Sequence, residues 1–317
     1  FINGTTGLSG TVSSANSLVG VTSNDQVGSS GVFALTNGNY AVASQNWDNG
    51  GATNAGAVTW GNGTTGTTGT VTTANSLFGS TTDDLVGNGG VVALTNGNYV
   101  VRSLNWDANG GGANDDHGAV TLRSGTSASA TAVSAANSLV GSSDNDNVGS
   151  GGVTALTNGN YVVASPSWNN GGTSDVGAAT WGSGTLGVVG TISSGNSFIG
   201  GGSDDLVGSG GVVALSNGNY VIVSPSWDGA GNNRGAATWG NGTSGSTGTV
   251  GTGNSLFGGA DNDQVGSAGV FALTNGHYVV ASPLSDQGSG GSGHGTVTWG
   301  SGTAATAAQV TSANSLI

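Results

Sequence analysis

Four tryptophans, each followed by an acidic or amide residue, are the clearest candidates for ligand contact in this sequence. The pairs are Trp47-Asp48, Trp106-Asp107, Trp168-Asn169 and Trp227-Asp228. An indole ring offers a sugar ring a flat apolar surface, and a neighbouring carboxylate or amide can bind its hydroxyls. The same tryptophans could instead fill the space between packed sheets. The sequence leaves the sugar-binding and the packing interpretations open.

A second recurring acid stands two positions before a Val-Gly pair. It occurs at Asp25, Asp84, Asp146, Asp205 and Asp263. Such carboxylates are weak candidates for a calcium site, because no fixed spacing of further ligands repeats around them. We favour a structural role, in which each carboxylate accepts the backbone N–H groups of a turn. The sequence therefore predicts no cofactor, and calcium is the one ion that these residues could hold.

Catalytic constellations are absent from the sequence. The three histidines, His117, His277 and His294, do not recur at equivalent places, and no nucleophile motif or paired acid and base accompanies them. We therefore expect a protein that is not an enzyme.

The composition narrows the class of protein further. Glycine accounts for 65 of the 317 residues, Glu, Lys, Met and Cys do not occur, and the formal net charge is −13. So few cations disfavour binding to nucleic acid or to anionic membrane surfaces. No apolar run approaches the roughly 18 residues that a transmembrane helix needs, so membrane insertion is not expected. Gly/Asn/Thr-rich, Lys-free chains are more typical of cell surfaces than of cytosol, and we expect an extracellular or cell-surface location.

The elements that position these residues are strands. The stretch ALTNGNYVV recurs in varied form five times, with its tyrosine at Tyr40, Tyr99, Tyr161, Tyr220 and Tyr278. Two apolar runs separated by Asn-Gly predict a β-hairpin. The tyrosines lie about 60 residues apart, which indicates a tandem repeat. The lack of Glu, Lys and Met argues against helices, so we predict an all-β protein.

Each unit of about 60 residues predicts four antiparallel strands. In the first unit these are strand a at 31–36, strand b at 40–44, strand c at 56–61 and strand d at 70–78. Tryptophans of strand c, at Trp60, Trp181, Trp239 and Trp299, are predicted to be core because Leu122 replaces them in the second unit. Repeated four-stranded units favour a single domain over residues 1–317, a five-bladed β-propeller with strand a innermost. An open solenoid or sandwich array is the alternative.

One strand is left over in this arrangement. The ANSL strand d has six copies, against five copies of strands a, b and c. Residues 1–20 and 303–317 are therefore candidate ring-closing or spare strands. A spare strand could also pair with a neighbouring molecule by strand addition.

The unit resembles the FG-GAP repeat of integrin α-subunit propellers and their bacterial relatives. The segment 27–35 stands where that family has FG, 163–170 stands where it has GAP, and 56–61 matches its third strand. Pro166, Pro225 and Pro283 match the GAP proline. Five units replace the usual seven, and the family's calcium loop between strands a and b is reduced to Asn-Gly-Asn. The near-identical repeats are also similar to those of bacterial haemagglutinin-like surface proteins. This resemblance implies adhesion or binding.

The sequence thus predicts a non-enzymatic, lectin-like or adhesin binding module of a secreted or cell-surface protein. Its partner would be a glycan or another cell-surface ligand. The ligand would lie on the face that bears the b–c and d–a loops, because a meander places both loops at one end of each unit. The alternative is a structural repeat of a surface layer or extracellular fibre, which assembles with copies of itself.

Overall fold

The fold was obtained as a computed structural model, which describes residues 10–108, 115–286 and 293–317. Its described residues form 26 short β-strands and no helix. The all-β prediction is therefore confirmed, and the repeats each give a small sheet. Strands are numbered β1 to β26 along the chain, and five classes recur.

The first three classes form the antiparallel part of each sheet. Strand a is β2 (Gly31–Ala34), β7 (Gly90–Ala93), β12 (Gly152–Ala155), β17 (Val212–Ala214) and β22 (Val270–Ala272). Strand b is β3 (Tyr40–Ser44), β8 (Tyr99–Ser103), β13 (Tyr161–Ser165), β18 (Tyr220–Ser224) and β23 (Tyr278–Ser282). Strand c is β4 (Ala57–Gly61), β9 (Ala119–Arg123), β14 (Ala178–Gly182), β19 (Ala236–Gly240) and β24 (Thr296–Gly300).

The remaining two classes are shorter. Link strands are β5 (Gly69–Thr70), β10 (Thr131–Ala132), β15 (Gly190–Thr191), β20 (Gly248–Thr249) and β25 (Ala308–Gln309). Strand d is β1 (Leu18–Val19), β6 (Ser76–Phe78), β11 (Leu139–Val140), β16 (Ser197–Ile199), β21 (Ser255–Phe257) and β26 (Ser315–Leu316).

The predicted strand d at 70–78 is wrong in its extent, because two strands with a turn between them occupy it. Asn75 makes this turn: its Oδ1 accepts the N–H of Thr72 at 2.9 Å, and its Nδ2 donates to the carbonyl of Thr70 at 2.8 Å. The amide of the ANSL motif therefore breaks the strand.

The two pieces belong to different sheets. Within a unit, strands a, b, c and d pair antiparallel in that order, as in β12-β13-β14-β16. A link strand from the following unit then pairs parallel with strand d, as β20 does with β16. Four sheets have these five strands and the fifth unit has four. Each unit is thus joined to the next by a shared sheet edge.

Neighbouring sheets also pack face to face. One apolar cluster holds Val58 and Leu77 of the first unit together with Val101 and Val133 of the second, and equivalent clusters follow along the chain. In four units strand c ends in glycine, because the tyrosine ring of strand b covers that position; the second unit has Arg123 there. A Cβ on Gly61 would lie 2.2 Å from the Tyr40 ring.

A closed five-bladed ring is not confirmed. The first ANSL strand, β1, pairs with β5 rather than with the fifth unit, and residues 1–9 of that segment lie outside the described residues. The last ANSL strand, β26, pairs with β24 of its own unit. Apolar residues on the outward sheet faces of the first and fifth units, such as Val32 and Phe271, are exposed. Within the described residues the sheets therefore form an open array, in which each unit packs on its sequence neighbours.

Candidate functional site

The aspartates before Val-Gly fasten the d–a crossing to the b–c loop. In the third unit, Oδ2 of Asp146 accepts the backbone N–H groups of Ser142 and Ser143 at 2.7 and 2.9 Å. Its Oδ1 accepts the N–H of Asn169, which follows the loop tryptophan, at 2.8 Å. Asp25, Asp84, Asp205 and Asp263 make the corresponding bonds in their own units. This is the turn-forming role that the sequence favoured.

These carboxylates hold a backbone that would otherwise be unfavourable. The residues on both sides of each aspartate have positive φ, for example 62° at Asp204 and 46° at Leu206 around Asp205. A leucine in this region costs on the order of 1–2 kcal/mol. The hydrogen bonds to the carboxylate offset that cost, so the side chain and the loop conformation depend on each other.

Burial and hydrogen bonding oppose each other at these carboxyl groups. Burial raises the pKa of Asp146 above its ordinary value, although hydrogen bonds from Asn169 and Ser142 act in the other direction. At Asp25 burial is weaker, and the hydrogen bonds from Thr22 and Asp48 outweigh it, so its pKa lies below the ordinary value. The same turn thus lowers the pKa of the carboxyl group in the first unit and raises it in the third.

The loop tryptophans are buried rather than exposed. Trp47, Trp106, Trp168 and Trp227 each belong to an apolar cluster, and all are at most 5% exposed. Trp227, for example, meets the ring of Phe257 edge-on, with 6.4 Å between the ring centres. Burial of both indole faces favours the packing interpretation over a sugar-stacking surface. A ligand at these residues stays a prediction.

The polar residue after each tryptophan closes its own loop. Oδ1 of Asp48 accepts the N–H of Asn54 at 2.9 Å, and Oδ1 of Asn169 accepts that of Asp175 at the same distance. Asp228 accepts the N–H of Asn233 at 2.7 Å. In the second unit, Asp107 instead lies 3.5 Å from Nδ1 of His117. Burial raises the pKa of Asp107, and this contact with His117 opposes the rise.

The two loop sets do lie together, as the meander predicted. In the fourth unit they line a cleft of about 520 Å³, whose walls include Asp205, Trp227, Asp228 and the glycines of both loops. The described residues contain no group of three or more His, Cys, Asp or Glu side chains placed to hold a metal ion. Among them there is also no helix long and apolar enough to cross a membrane. The remaining histidines have different neighbours: the ring of His277 lies 4.9 Å, centre to centre, from that of Trp299 and is tilted by 49° to it, and His294 lines a cleft with Pro283.

The opposite end of each sheet carries a site that sequence reasoning missed. In the first unit, Nδ2 of Asn37 and Nδ2 of Asn39 both donate to the carbonyl of Gly125 in the second unit, at 2.8 Å each. Nε1 of Trp60 donates to the same carbonyl at 2.9 Å. Asn37 also donates to the carbonyl of Gly97, the turn glycine of the second unit, at 3.1 Å. One carbonyl therefore gathers three donors from the preceding unit.

This arrangement, which we call the amide bridge, recurs. Its asparagine pairs and acceptors are Asn37, Asn39 and Gly125; Asn96, Asn98 and Gly184; Asn158, Asn160 and Gly242; and Asn217, Asn219 and Gly302. Trp181 and Trp239 add their indole N–H groups as Trp60 does. The hairpin turn itself requires only Asn-Gly. The additional asparagine after that glycine, such as Asn39, was therefore the sequence signal that could have predicted this contact.

Comparison with known proteins agrees with a repeat architecture. A family model described as a repeat of unknown function (DUF5650) matches residues 1–29, 34–88, 93–150, 155–209, 214–267 and 272–317. The chain belongs to this family. The first match covers only the link, strand d and aspartate loop of a repeat, which is why six matches correspond to five complete hairpins. A comparison with curated proteins found no match.

Proposed function

We propose that this protein is a non-enzymatic structural repeat of a surface layer or extracellular fibre, whose role is to build an extended array of stacked sheets. The amide bridge carries the proposal, because equivalent asparagines of four successive units donate to carbonyls of the next unit. An open array of stacked sheets can grow by whole units without changing any existing contact.

The state of the predicted ligand residues supports this role. Their side chains close the b–c loops or fill the space between sheets. Groups already bonded inside the protein must lose those bonds before they can bind a ligand, and the cost of leaving buried donors unpaired is about 1–3 kcal/mol each. A binding face made of these residues would therefore weaken the fold that presents it.

A lectin-like or adhesin module is the second candidate. The cleft of about 520 Å³ in the fourth unit favours it, because Trp227 and Asp228 line the same cavity. At most four units could carry such a site, since Ser285 stands at the tryptophan position of the fifth unit.

Duplicating one unit tests the structural role. A second copy of residues 160–218 inserted after Gly218 joins Gly218 to Asn160, which repeats the natural Gly-Asn step. We expect the longer protein to fold, to melt at the same or a higher temperature, and to have a larger maximum dimension in small-angle scattering. The original chain serves as the control.

Two results would count against the proposal. An unfolded or unstable insertion variant would mean that the number of units is fixed by closure. Binding of the original chain to a glycan array, lost in Asp228→Ala while the melting temperature is kept, would favour the lectin-like module instead.

A further inference from the structure

The fifth unit exposes the sheet face that every earlier unit buries against its successor. We call this side of a unit its front face and the opposite side its back face. Val297, on the front face, is 43% exposed, whereas the equivalent Val58, Val120, Ala179 and Ala237 are fully buried. Trp299 and Phe271 on the same face are 51% and 57% exposed. A cleft of about 420 Å³, lined by Val279, Val297, Trp299 and Leu316, opens there.

In the part of the chain that the structure describes, the amide-bridge donors on this front face also have no carbonyl acceptors from a following unit. Asn275 and Trp299 are the equivalents of Asn37 and Trp60, yet within the described residues neither Nδ2 of Asn275 nor Nε1 of Trp299 meets an acceptor. Thr274, whose counterpart Thr36 donates to the carbonyl of Leu94 at 2.7 Å, has no such bond either. His277 takes the place of Asn39, and its Nδ1 accepts the N–H of Gly302 at 3.1 Å. The donors of a bridge are therefore present without their carbonyls.

The first unit shows the matching deficit on its back face. Val32 is 64% exposed, whereas its equivalents Val91 and Val270 are buried. Gly38 and Gly63 occupy the positions of the acceptors Gly97 and Gly125, and no donor among the described residues reaches the carbonyl of either one. This face offers apolar surface and carbonyls, and the front face of the fifth unit offers apolar surface and donors.

We infer that the front face of the fifth unit binds the back face of the first unit of a second copy of this chain. The contact would repeat the interface that already joins the units within the chain, with the same apolar packing and the same kind of hydrogen bonds. It is a head-to-tail contact, because the two faces differ, and such contacts generate open filaments when they do not close into a ring. This inference names the partner for the structural role proposed above and rests on it.

One strand must move for the contact to be complete. Inside the array, strand d of a unit pairs with the link strand of the next, but the link strand β5 of the first unit is already paired with β1. The segment that carries β1 is weakly held: Val12 is 72% exposed, whereas Val71, Val250 and Val310 at the equivalent position are buried. Strand β26 of the incoming copy would therefore displace β1 from β5, which is a strand exchange between copies.

Mixing two blocked variants tests the head-to-tail contact. Val32→Arg blocks the back face and Phe271→Arg blocks the front face, and each introduces an unpaired charge into the interface. We expect the original chain to form a concentration-dependent series of oligomers in analytical ultracentrifugation. Each variant alone should associate at least about tenfold more weakly, and the two variants mixed should stop at a one-to-one complex. Since the chain carries a net charge of −13, added salt should strengthen association.

Leu186→Arg is the matched control. Leu186 is exposed but lies in the link of the third unit, on neither end face, so this variant should associate like the original chain. Circular dichroism should show that all three variants stay folded. A strictly monomeric original chain would overturn the inference, and so would equal self-association of the Val32→Arg chain.

Cysteine cross-linking tests the strand exchange separately, since the chain has no cysteine of its own. Ile317 is the counterpart of Val19, which pairs with Thr70. The variant with Ile317→Cys and Thr70→Cys should form disulfides between chains. The variant with Ile317→Cys and Thr249→Cys should not, because Ile199 of the same chain already pairs with Thr249. Equal cross-linking in both variants would overturn the exchange.

The outcomes separate this inference from the proposed function. If the duplicated-unit variant folds and lengthens while the original chain stays monomeric, the structural repeat stands and self-assembly through the end faces fails.

Discussion

The two ends of each sheet hold the array together in different ways. At the loop end, where the chain passes from one sheet to the next, buried carboxylates such as Asp146 bind backbone N–H groups on both sides of the crossing. At the turn end, amides such as Asn158 reach across to the carbonyls of the following unit. The loop end therefore fixes the backbone conformation where the chain passes between sheets, and the turn end holds the following unit in place. Only the second kind of contact is left incomplete on the fifth unit.

The largest effect is expected at the loop end, from removing a loop tryptophan. Trp227→Ala should lower the free energy of unfolding by about 3–5 kcal/mol, because it empties a space between two packed sheets. Trp299→Ala is the control, since that indole is half exposed on the front face of the fifth unit and should cost far less. Denaturant unfolding of both variants measures the difference. Similar small losses in both would contradict the packing role of Trp227.

Removing an aspartate of the loop end should have the next largest effect. Asp146→Ala should cost about 2–4 kcal/mol, because three part-buried backbone N–H donors lose their acceptor. Asp144→Ala, two residues earlier and exposed, should change stability little. Thermal melts of the two variants provide the comparison. If Asp146→Ala and Asp144→Ala have the same melting temperature, the Asp146 carboxylate does not stabilise the loop that passes between sheets.

A turn-end asparagine should cost less. Asn158→Ala removes bonds to the carbonyls of Gly218 and Gly242 and should lower the free energy of unfolding by about 1 kcal/mol. Asn275→Ala is an internal reference: Oδ1 of Asn275 accepts the N–H of His277, as Oδ1 of Asn158 accepts that of Asn160, but no carbonyl of a following unit is present. Equal losses at both positions would show that the amide bridge adds nothing beyond its turn.

The smallest expected effect is a difference in how two aspartates of the loop end change the stability of the fold with pH. The pKa of Asp25 lies below 3.8, so its charge stabilises the fold above that pH, and this contribution is lost as the pH falls through the folded value. The pKa of Asp146 lies above 3.8, so its contribution is present below that pH and is lost as the pH rises through the folded value.

Asparagine variants measure these two contributions. The stability difference between the original chain and Asp25→Asn should grow with rising pH, and that for Asp146→Asn should shrink, between about pH 2 and pH 6. Unfolding free energies at several pH values give both slopes. Slopes of the same sign would contradict the opposing balance of burial and hydrogen bonding at the two sites.

Much of the fold follows from local sequence signals. The Asn-Gly hairpins and the all-β class were predictable, because turn geometry and strand propensity act over a few residues. Strand d was not, since the ANSL asparagine forms a turn that splits it, and its first half pairs with a sheet of the preceding unit. Closure of a ring depends on the angle between successive sheets, which no residue pattern in a single unit encodes.

The candidate site was predictable only in part. The aspartate loops behave as expected because an Asx turn is local. The loop tryptophans were ambiguous, since an indole that packs between sheets and one that stacks on a sugar occupy the same place in a repeat. The acceptor glycines, such as Gly125, could not be recognised because their partner Asn37 is distant in the sequence and belongs to another unit.

A single distance tests the central claim, that the sheets form an open array. Spin labels at Val32→Cys and Phe271→Cys report the separation of the two end faces, and labels at Thr154→Cys and Val212→Cys report it across an internal interface. An excess of unlabelled chain removes distances between copies. Sheets packed face to face lie about 10 Å apart, so a closed ring would give both pairs the same short distance and contradict this account. We predict that the separation of Val32 and Phe271 is much longer than that of Thr154 and Val212.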